Sequence, residues 1–275
     1  MATLILLFLL AAAGVSVRAL SLKMQTIAVF GGTGKSGQEA VYQALKQNMK
    51  VIVLARDRSR MLIPMGSGGA KGGAALVDSN LTVVEGNVSN AADVEKAFAA
   101  ATEPIDGVVV ALGGKTKDVG PTMLTDGTRN IIDAMKKRGI KRISVVTSIG
   151  AGDSENQAPL VFKALMYTVM KGIFTDKNNQ EKLFLGDASG SAPGGDLEYC
   201  IVRPGGLGEG APTGVINVID GQAGSIARAD VAAFCLGAIT DKSFPYIRKT
   251  PCISSVGGTG WVKEPQKGFD GVKTA

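Results

Sequence analysis

IAVFGGTGKSGQEAV, Ile27 to Val41, runs from an apolar stretch into a loop with four glycines, a lysine and a serine in seven positions. A loop of that composition at a helix start offers free backbone N–H groups to a phosphate. Two phosphate loops compete for the reading. The loop that cradles a nucleoside triphosphate has the pattern GxxxxGK[ST]; Gly34-Lys35-Ser36 supplies its end, but its first glycine would fall on Val29, inside the strand. The loop is too short to wrap a triphosphate, and no strand-borne aspartate is evident to complete a magnesium site. The dinucleotide pattern GxGxxG fits instead. Gly32, Gly34 and Gly37 follow a strand over Thr26–Phe30 and open a helix over Ser36–Gln47. Gly31 and Gly32 allow the tight turn, Gly34 lets the backbone approach a diphosphate, and Gly37 lets helix and strand pack closely. Thr33, Lys35 and Ser36 complete the cradle. A second strand begins 13 residues past Gly37.

That second strand, Lys50–Ala55, ends in Arg56-Asp57-Arg58-Ser59-Arg60. A site for NAD wants a carboxylate at the strand end, on the ribose 2′-hydroxyl. Arg56 holds that position, and Arg58 and Arg60 follow, a cluster suited to a 2′-phosphate. NADP(H) is therefore the expected cofactor, with NAD(H) left open by Asp57.

Outward from this unit, apolar runs recur at Leu81–Glu85, Gly107–Leu112, Arg142–Ser148 and Glu198–Arg203. They are continuous rather than alternating, as in strands covered on both faces. Helical patterns lie between and after them, at Asn90–Ala100, Thr125–Arg138, Pro159–Leu185 and Ala227–Ile239. This alternation predicts an α/β fold: a doubly wound parallel sheet with helices on both faces and a small C-terminal substrate-side region. Two glycine-rich stretches, Met65–Gly73 and Gly186–Gly195, lack the strand-then-helix context of a cradle, and the first reads as a flexible surface insertion. The expected organisation is a targeting segment over 1–24, one dinucleotide-binding domain over 25–263 and a tail over 264–275.

Composition narrows the chemistry. The chain has 275 residues, enough for one domain with a substantial core, and no histidine, which excludes imidazole acid–base work and Ser-His-Asp or Cys-His nucleophile systems. Cys200, Cys235 and Cys252 sit in apolar segments with no zinc spacing, and read as buried free thiols. The net charge of +6 is scattered, without basic runs interleaved with aromatics, so a small anionic ligand is expected and nucleic acid is not. The opening MATLILLFLLAAAGVSV is short for a membrane span and is followed by Val17-Arg18-Ala19, which resembles a signal-peptidase site. A cleaved secretory signal is expected ahead of an uncleaved anchor, with the secretory pathway, or an organelle reached through it such as a plastid, as destination. Asn80 and Asn87 both open glycosylation sequons.

In this order, FGGTGKSG (Phe30–Gly37), LARDRSR (Leu54–Arg60), EGNV (Glu85–Val88), DGTRNIIDA (Asp126–Ala134), VVTSIGA (Val145–Ala151), VRPGGL (Val202–Leu207) and ARADVA (Ala227–Ala232) resemble an atypical short-chain dehydrogenase/reductase with a Rossmann fold, of the NmrA-like and flavin/biliverdin reductase group. The resemblance runs from Thr26 to about Ser255. It implies that Asn87 and Val88 contact the adenine, where relatives usually carry Asp-Val, and that Ala111, Leu112 and Gly113 lie beside the nicotinamide-side ribose. It further implies that Ser148 hydrogen-bonds substrate and that Pro204, Gly205 and Gly206 border the nicotinamide.

The wider family pairs a proton-donating tyrosine with a lysine in YxxxK spacing. Tyr167 and Lys171 have that spacing on the predicted Pro159–Leu185 helix. A competing register, Lys177-x-x-x-Glu181-x-Leu183, resembles the family's KxxxExL and stands 27 residues before Pro204, against 33 for Lys171. Lys177 is preferred; the tyrosine position then holds Ile173, and the proton would come from Ser148, Tyr167 or water. Arg228 and Asp230 read as an ion pair at a helix start. Two functions follow: hydride transfer from NADPH to a small carbonyl, quinone, flavin or tetrapyrrole-like substrate, or a catalytically silent NADP(H)-binding sensor or scaffold. A nucleotide-sugar epimerase ranks last, having little chain left for a substrate domain.

Overall fold

The structure, a computed structural model, describes residues 24–114 and 120–257. The expected targeting segment up to residue 23 and the expected tail, 264–275, lie outside the described residues. The order is β1 (Thr26–Phe30), α1 (Lys35–Lys46), β2 (Lys50–Ala55), β3 (Leu81–Glu85), α2 (Ala91–Ala99), β4 (Gly107–Val110), α3 (Met123–Lys137) and β5 (Arg142–Val146). There follow α4 (Leu160–Tyr167), α5 (Lys171–Leu185), β6 (Glu198–Pro204), β7 (Gly206–Gly208), β8 (Asn217–Val218), β9 (Ala223–Ala227), α6 (Arg228–Thr240), β10 (Cys252–Ser254) and β11 (Val256–Gly257).

The main sheet runs β3-β2-β1-β4-β5-β6-β10-β8 and is parallel up to β10, which pairs antiparallel with β8. Successive β1 side chains feed opposite cores. Ile27 and Val29 pack with residues of α1 and α6, such as Val41 and Phe234, whereas Ala28 and Phe30 pack with Val94 and Phe98 of α2 and Ile131 of α3. This is the doubly wound sheet expected, and burial on both faces accounts for strands that read as continuous apolar runs. A second, three-stranded sheet, β11-β9-β7, forms the small C-terminal region. All three cysteines are buried free thiols. No described helix is long and apolar enough to cross a membrane.

Four expectations are corrected. The strands expected over Gly107–Leu112 and Arg142–Ser148 stop at Val110 and Val146, and the backbone beyond each turns into the cleft described below. The helix expected over Pro159–Leu185 is two helices, broken at Thr168 (φ −113°, ψ −93°), whose hydroxyl donates back to the Ala164 carbonyl at 2.7 Å. Tyr167 and Lys171 therefore lie on different helices. β10, three residues long, was not visible as a strand. Finally, the Met65–Gly73 stretch is anchored: the buried carboxylate of Glu39 in α1 accepts from Gly66 N–H at 3.0 Å and Ser67 N–H at 3.2 Å.

A buried carboxylate holding two loop amides makes a local prediction. Glu39→Ala should lose amide-exchange protection at Gly66 and Ser67 and cost about 1–3 kcal/mol of stability; unchanged exchange there would mean the loop is held by something else.

Candidate functional site

The carboxyl ends of β1, β2, β4 and β5 open onto one cleft of about 740 Å³. Ligands of open parallel sheets bind at that edge, where the strand order reverses, here between β1 and β4. The glycine-rich loop forms its floor. Gly31 has φ +87°, and a Cβ there would stand 2.3 Å from the Ala111 carbonyl oxygen, so only glycine permits this turn. A Cβ on Gly37 would stand 2.1 Å from the Gly31 carbonyl oxygen, which explains how α1 comes so close to β1. Gly32 backs onto Val41 and Val53 rather than the cleft. Gly31, Thr33, Gly34, Lys35 and Ser36 all line it, and the Gln38 amide donates to the Thr33 carbonyl at 3.3 Å and the Arg60 carbonyl at 3.0 Å, tying the loop to the end of β2.

Arg56 and Arg60 line the cleft beyond Ala55. Arg58 does not: its guanidinium donates to the Val83 carbonyl on β3. Asp57 is engaged locally, its carboxylate accepting from Ser59 N–H at 2.9 Å and Ser59 Oγ at 2.6 Å; these bonds hold its pKa below the ordinary carboxylate value. Asn87, Val88, Ala111, Leu112 and Gly113 complete the walls. Asn87 is exposed and accepts from Ser89 N–H at 3.1 Å, while the Val88 carbonyl accepts from the Asn130 amide at 2.9 Å.

Lys177 reaches the cleft from α5, and its Nζ donates to the Thr147 carbonyl at 3.0 Å. Polar side chains dock α5. Asp176 accepts from Leu124 N–H at 2.8 Å and Thr125 N–H at 3.0 Å, capping α3, and the Gln180 amide donates to Thr128 Oγ1 at 2.8 Å. Glu181 accepts from Thr147 Oγ1 at 2.7 Å and forms a two-armed pair with Arg203, Nε at 3.1 Å and Nη2 at 2.6 Å. Both partners of that pair are buried. Burial pushes the Lys177 ammonium down to about 8, against the Glu181 and Asp176 carboxylates, which hold it up.

Other expected site residues lie elsewhere. Tyr167 is 59% exposed on α4, where the nearby Glu155 carboxylate raises its pKa, and is not part of the cleft lining; nor is Lys171, exposed at the start of α5. Ser148 is half-buried and not among the lining residues; its neighbour Thr147 is. Pro204 and Gly205 are buried and not among the lining residues: Pro204 pairs with Ile253 of β10, and a Cβ on Gly205 would come 2.3 Å from the Gly224 carbonyl oxygen of β9. Leu207 and Arg228 line the cleft in their place. The Arg228–Asp230 pair read from the sequence is absent. Asp230 accepts from Thr213 N–H and Gly214 N–H, each at 3.0 Å, while Arg228 donates to the Leu207 and Gly208 carbonyls at 3.2 and 3.3 Å. The signal for Arg228 was its place at the first turn of a helix beside the cradle.

Lys35, Arg56, Arg60, Lys177 and Arg228 thus line one cleft, with no carboxylate among its described lining residues. Glycine floor and cationic walls both fit a phosphate-bearing dinucleotide. Among the described residues no three or more Cys, Asp or Glu side chains cluster as metal ligands.

Comparisons agree with this geometry. The model of a family described as NAD(P)H-binding matches residues 31–242. A protein named reductase pytE from Aspergillus terreus is 28% identical over 207 residues, 67% of this chain and 76% of its own length. The solved structure of ChuY, described as an anaerobillin reductase from Escherichia coli O157:H7, is 25% identical with a TM-score of 0.61, covering 84% of this chain and 97% of ChuY. A wide-type short-chain dehydrogenase/reductase from Veillonella parvula DSM 2008, solved with NADP, shares the fold at a TM-score of 0.62 and 17% identity, covering 86% of this chain and 97% of that one. The resemblance to atypical short-chain dehydrogenases/reductases read from the sequence holds.

A dinucleotide that draws on the Lys177 charge raises the pKa of that group on binding, so its affinity falls as pH rises through about 8. The nicotinamide dinucleotide should bind the wild type up to about tenfold more weakly at about pH 9 than at about pH 7, while Lys177→Met shows no such slope. Parallel slopes in the two proteins would assign the titration to another group.

Proposed function

The chain belongs to the NAD(P)H-binding family, and within it we propose an NADP(H)-dependent reductase that passes hydride to a small quinone, flavin, linear tetrapyrrole or carbonyl substrate. The observation that carries this reading is the pair Arg56 and Arg60 on the cleft wall, with Asp57 turned into its own bonds to Ser59. Guanidinium groups at the end of β2 suit a 2′-phosphate; a carboxylate free to accept from a ribose 2′-hydroxyl would suit NAD.

When bound, the cofactor supplies the hydride. The chain would supply the rest: the loop N–H groups would hold the diphosphate, Arg56 and Arg60 the 2′-phosphate, and Lys177 a ribose hydroxyl. Burial lowers the pKa of the Lys177 ammonium to about 8, so it stays largely charged at neutral pH. No tyrosine stands among the described lining residues. Acceptors that spread the incoming charge over a conjugated system need a positioned acid least, which favours flavins, quinones and linear tetrapyrroles over simple carbonyls. The likeness to ChuY and to reductase pytE supports the same direction. One observation favours a silent NADP(H)-binding sensor instead: Tyr167, the nearest match to the family acid, faces solvent beside Glu155.

Fluorescence titration of wild type and Arg56→Glu with NADPH and NADH tests the cofactor. The variant should lose about tenfold or more in NADPH affinity and little in NADH affinity. Equal losses would place the 2′-phosphate elsewhere. NADPH oxidation in the presence of quinones, flavins and biliverdin then separates the enzyme from the sensor.

A further inference from the structure

One carboxylate does approach the cations of the cleft. Glu209, in the loop after β7, forms an ion pair with Lys35 of α1 and lies 3.9 Å from the Arg228 guanidinium at the start of α6. The Lys35 pair joins two walls of the cleft, from the glycine-rich loop to the segment behind it, 174 residues apart in sequence. Lys35 and Arg228 are both lining residues.

The loop around Glu209 is fixed on both sides, so the carboxylate is placed rather than free. Before it, the Leu207 and Gly208 carbonyls accept from Arg228. After it, the Gly210 carbonyl packs on Gly66, where an added Cβ would come within 2.7 Å, and Asp230 holds the amides of Thr213 and Gly214. Gly66 is in turn held by Glu39 of α1. Each wall is thereby tied back to α1 or α6, the two helices whose first turns carry Lys35 and Arg228.

We infer that Glu209 is a specificity-determining residue of the cleft: a resident anion that occupies the cations of the phosphate cradle and yields them only to a ligand whose diphosphate takes both. The inference rests on the cofactor reading above. A carboxylate and a diphosphate cannot share Lys35 and Arg228 without like-charge repulsion; the Lys35 and Glu209 side chains are 63% and 45% exposed, so salt screens that repulsion and low salt brings it out. A dinucleotide replaces the single charge of Glu209 with the two of its diphosphate, so the exchange favours it. A ligand without a diphosphate offers these two cations nothing in return and leaves the Glu209 pair closed. The cleft thus selects by phosphate position as well as by total charge, and Arg56 and Arg60 read the 2′-phosphate independently at the far wall.

The test compares wild type, Glu209→Gln and Glu103→Gln in NADPH titrations at low salt, with adenosine 2′-monophosphate as a second ligand. Glu103 pairs with Lys50 at the start of β2, so its variant makes the same change in net charge away from the cleft. Glu209→Gln should bind NADPH about fivefold more tightly than wild type, with adenosine 2′-monophosphate and Glu103→Gln unchanged. Weaker NADPH binding by Glu209→Gln would overturn the inference and make the carboxylate a clamp that holds the cofactor. Equal tightening for both ligands would reduce it to a general field effect, which overturns it too. Equal NADPH affinity in wild type and Glu209→Gln would overturn this inference alone, whereas no binding of NADPH or NADH by either would overturn the cofactor reading with it.

Discussion

The pair between Arg203 and Glu181 is the constraint on which the site depends. Both side chains are nearly inaccessible, 3% and 2% exposed, and taking two charges out of water is costly unless each is fully satisfied. Here the account closes. Glu181 receives two arms of the guanidinium and the Thr147 hydroxyl, and the third arm of Arg203 reaches Asp153. Burial opposes the charge on Arg203, and its carboxylate partners more than restore it, so the guanidinium stays protonated. Losing one partner of such a pair leaves an uncompensated buried charge, a loss of about 3–5 kcal/mol. The pair locks α5 to the ends of β5 and β6. Lys177 lies one helical turn before Glu181, so the same lock aims its ammonium at the Thr147 carbonyl and the cleft.

A cleft with five cationic lining residues assembles from elements scattered along the chain: α1, the turn after β2, α5 and α6. The parallel sheet makes this possible. Every strand of the β3-to-β6 set ends at the same edge, so each connection that leaves it can place one side chain on a common wall. Concentrating like charges in this way disfavours the empty state, and Glu209 bridging Lys35 toward Arg228 relieves part of that repulsion. The same crowding gives an anionic ligand its advantage.

What could be read from sequence follows from how local each signal is. GxGxxG between a strand and a helix was legible because the turn, the close approach at Gly37 and the helix start are all short-range demands on the backbone. The strands were legible because burial on both faces leaves a continuous apolar run. The break at Thr168 was not, because Leu160–Leu185 has neither proline nor a glycine at the break, and the interruption appears only where Thr168 bonds back to Ala164. Buried polar residues were the least legible. Glu39, Asp176, Gln180 and Glu181 have the spacing of solvated helix faces, yet each is buried against backbone amides or a charge from a distant segment. Arg228 and Asp230 are two residues apart, and their true partners, the carbonyls of 207–208 and the amides of 213–214, could be found only through the fold.

The displaced tyrosine bears on chemistry more than on binding. Holding a dinucleotide needs the glycine floor, the helix start and cations, all of which the cleft presents without any group that titrates like a phenol. Reducing an isolated carbonyl needs more, because the oxygen gains full negative charge as hydride arrives and must take a proton in the same step. Lys177 can carry a proton, and the Thr147 carbonyl holds only one of its three N–H donors, but giving a proton to substrate would leave a neutral amine beside the Asp176 and Glu181 carboxylates, which favour its charge. A conjugated acceptor removes that demand. Its charge spreads over the ring system, protonation can follow from water, and Lys177 can remain where the Arg203–Glu181 pair holds it. The lack of a lining tyrosine thus weighs against an isolated carbonyl more than against a conjugated acceptor, which is the ground for the proposed substrate class.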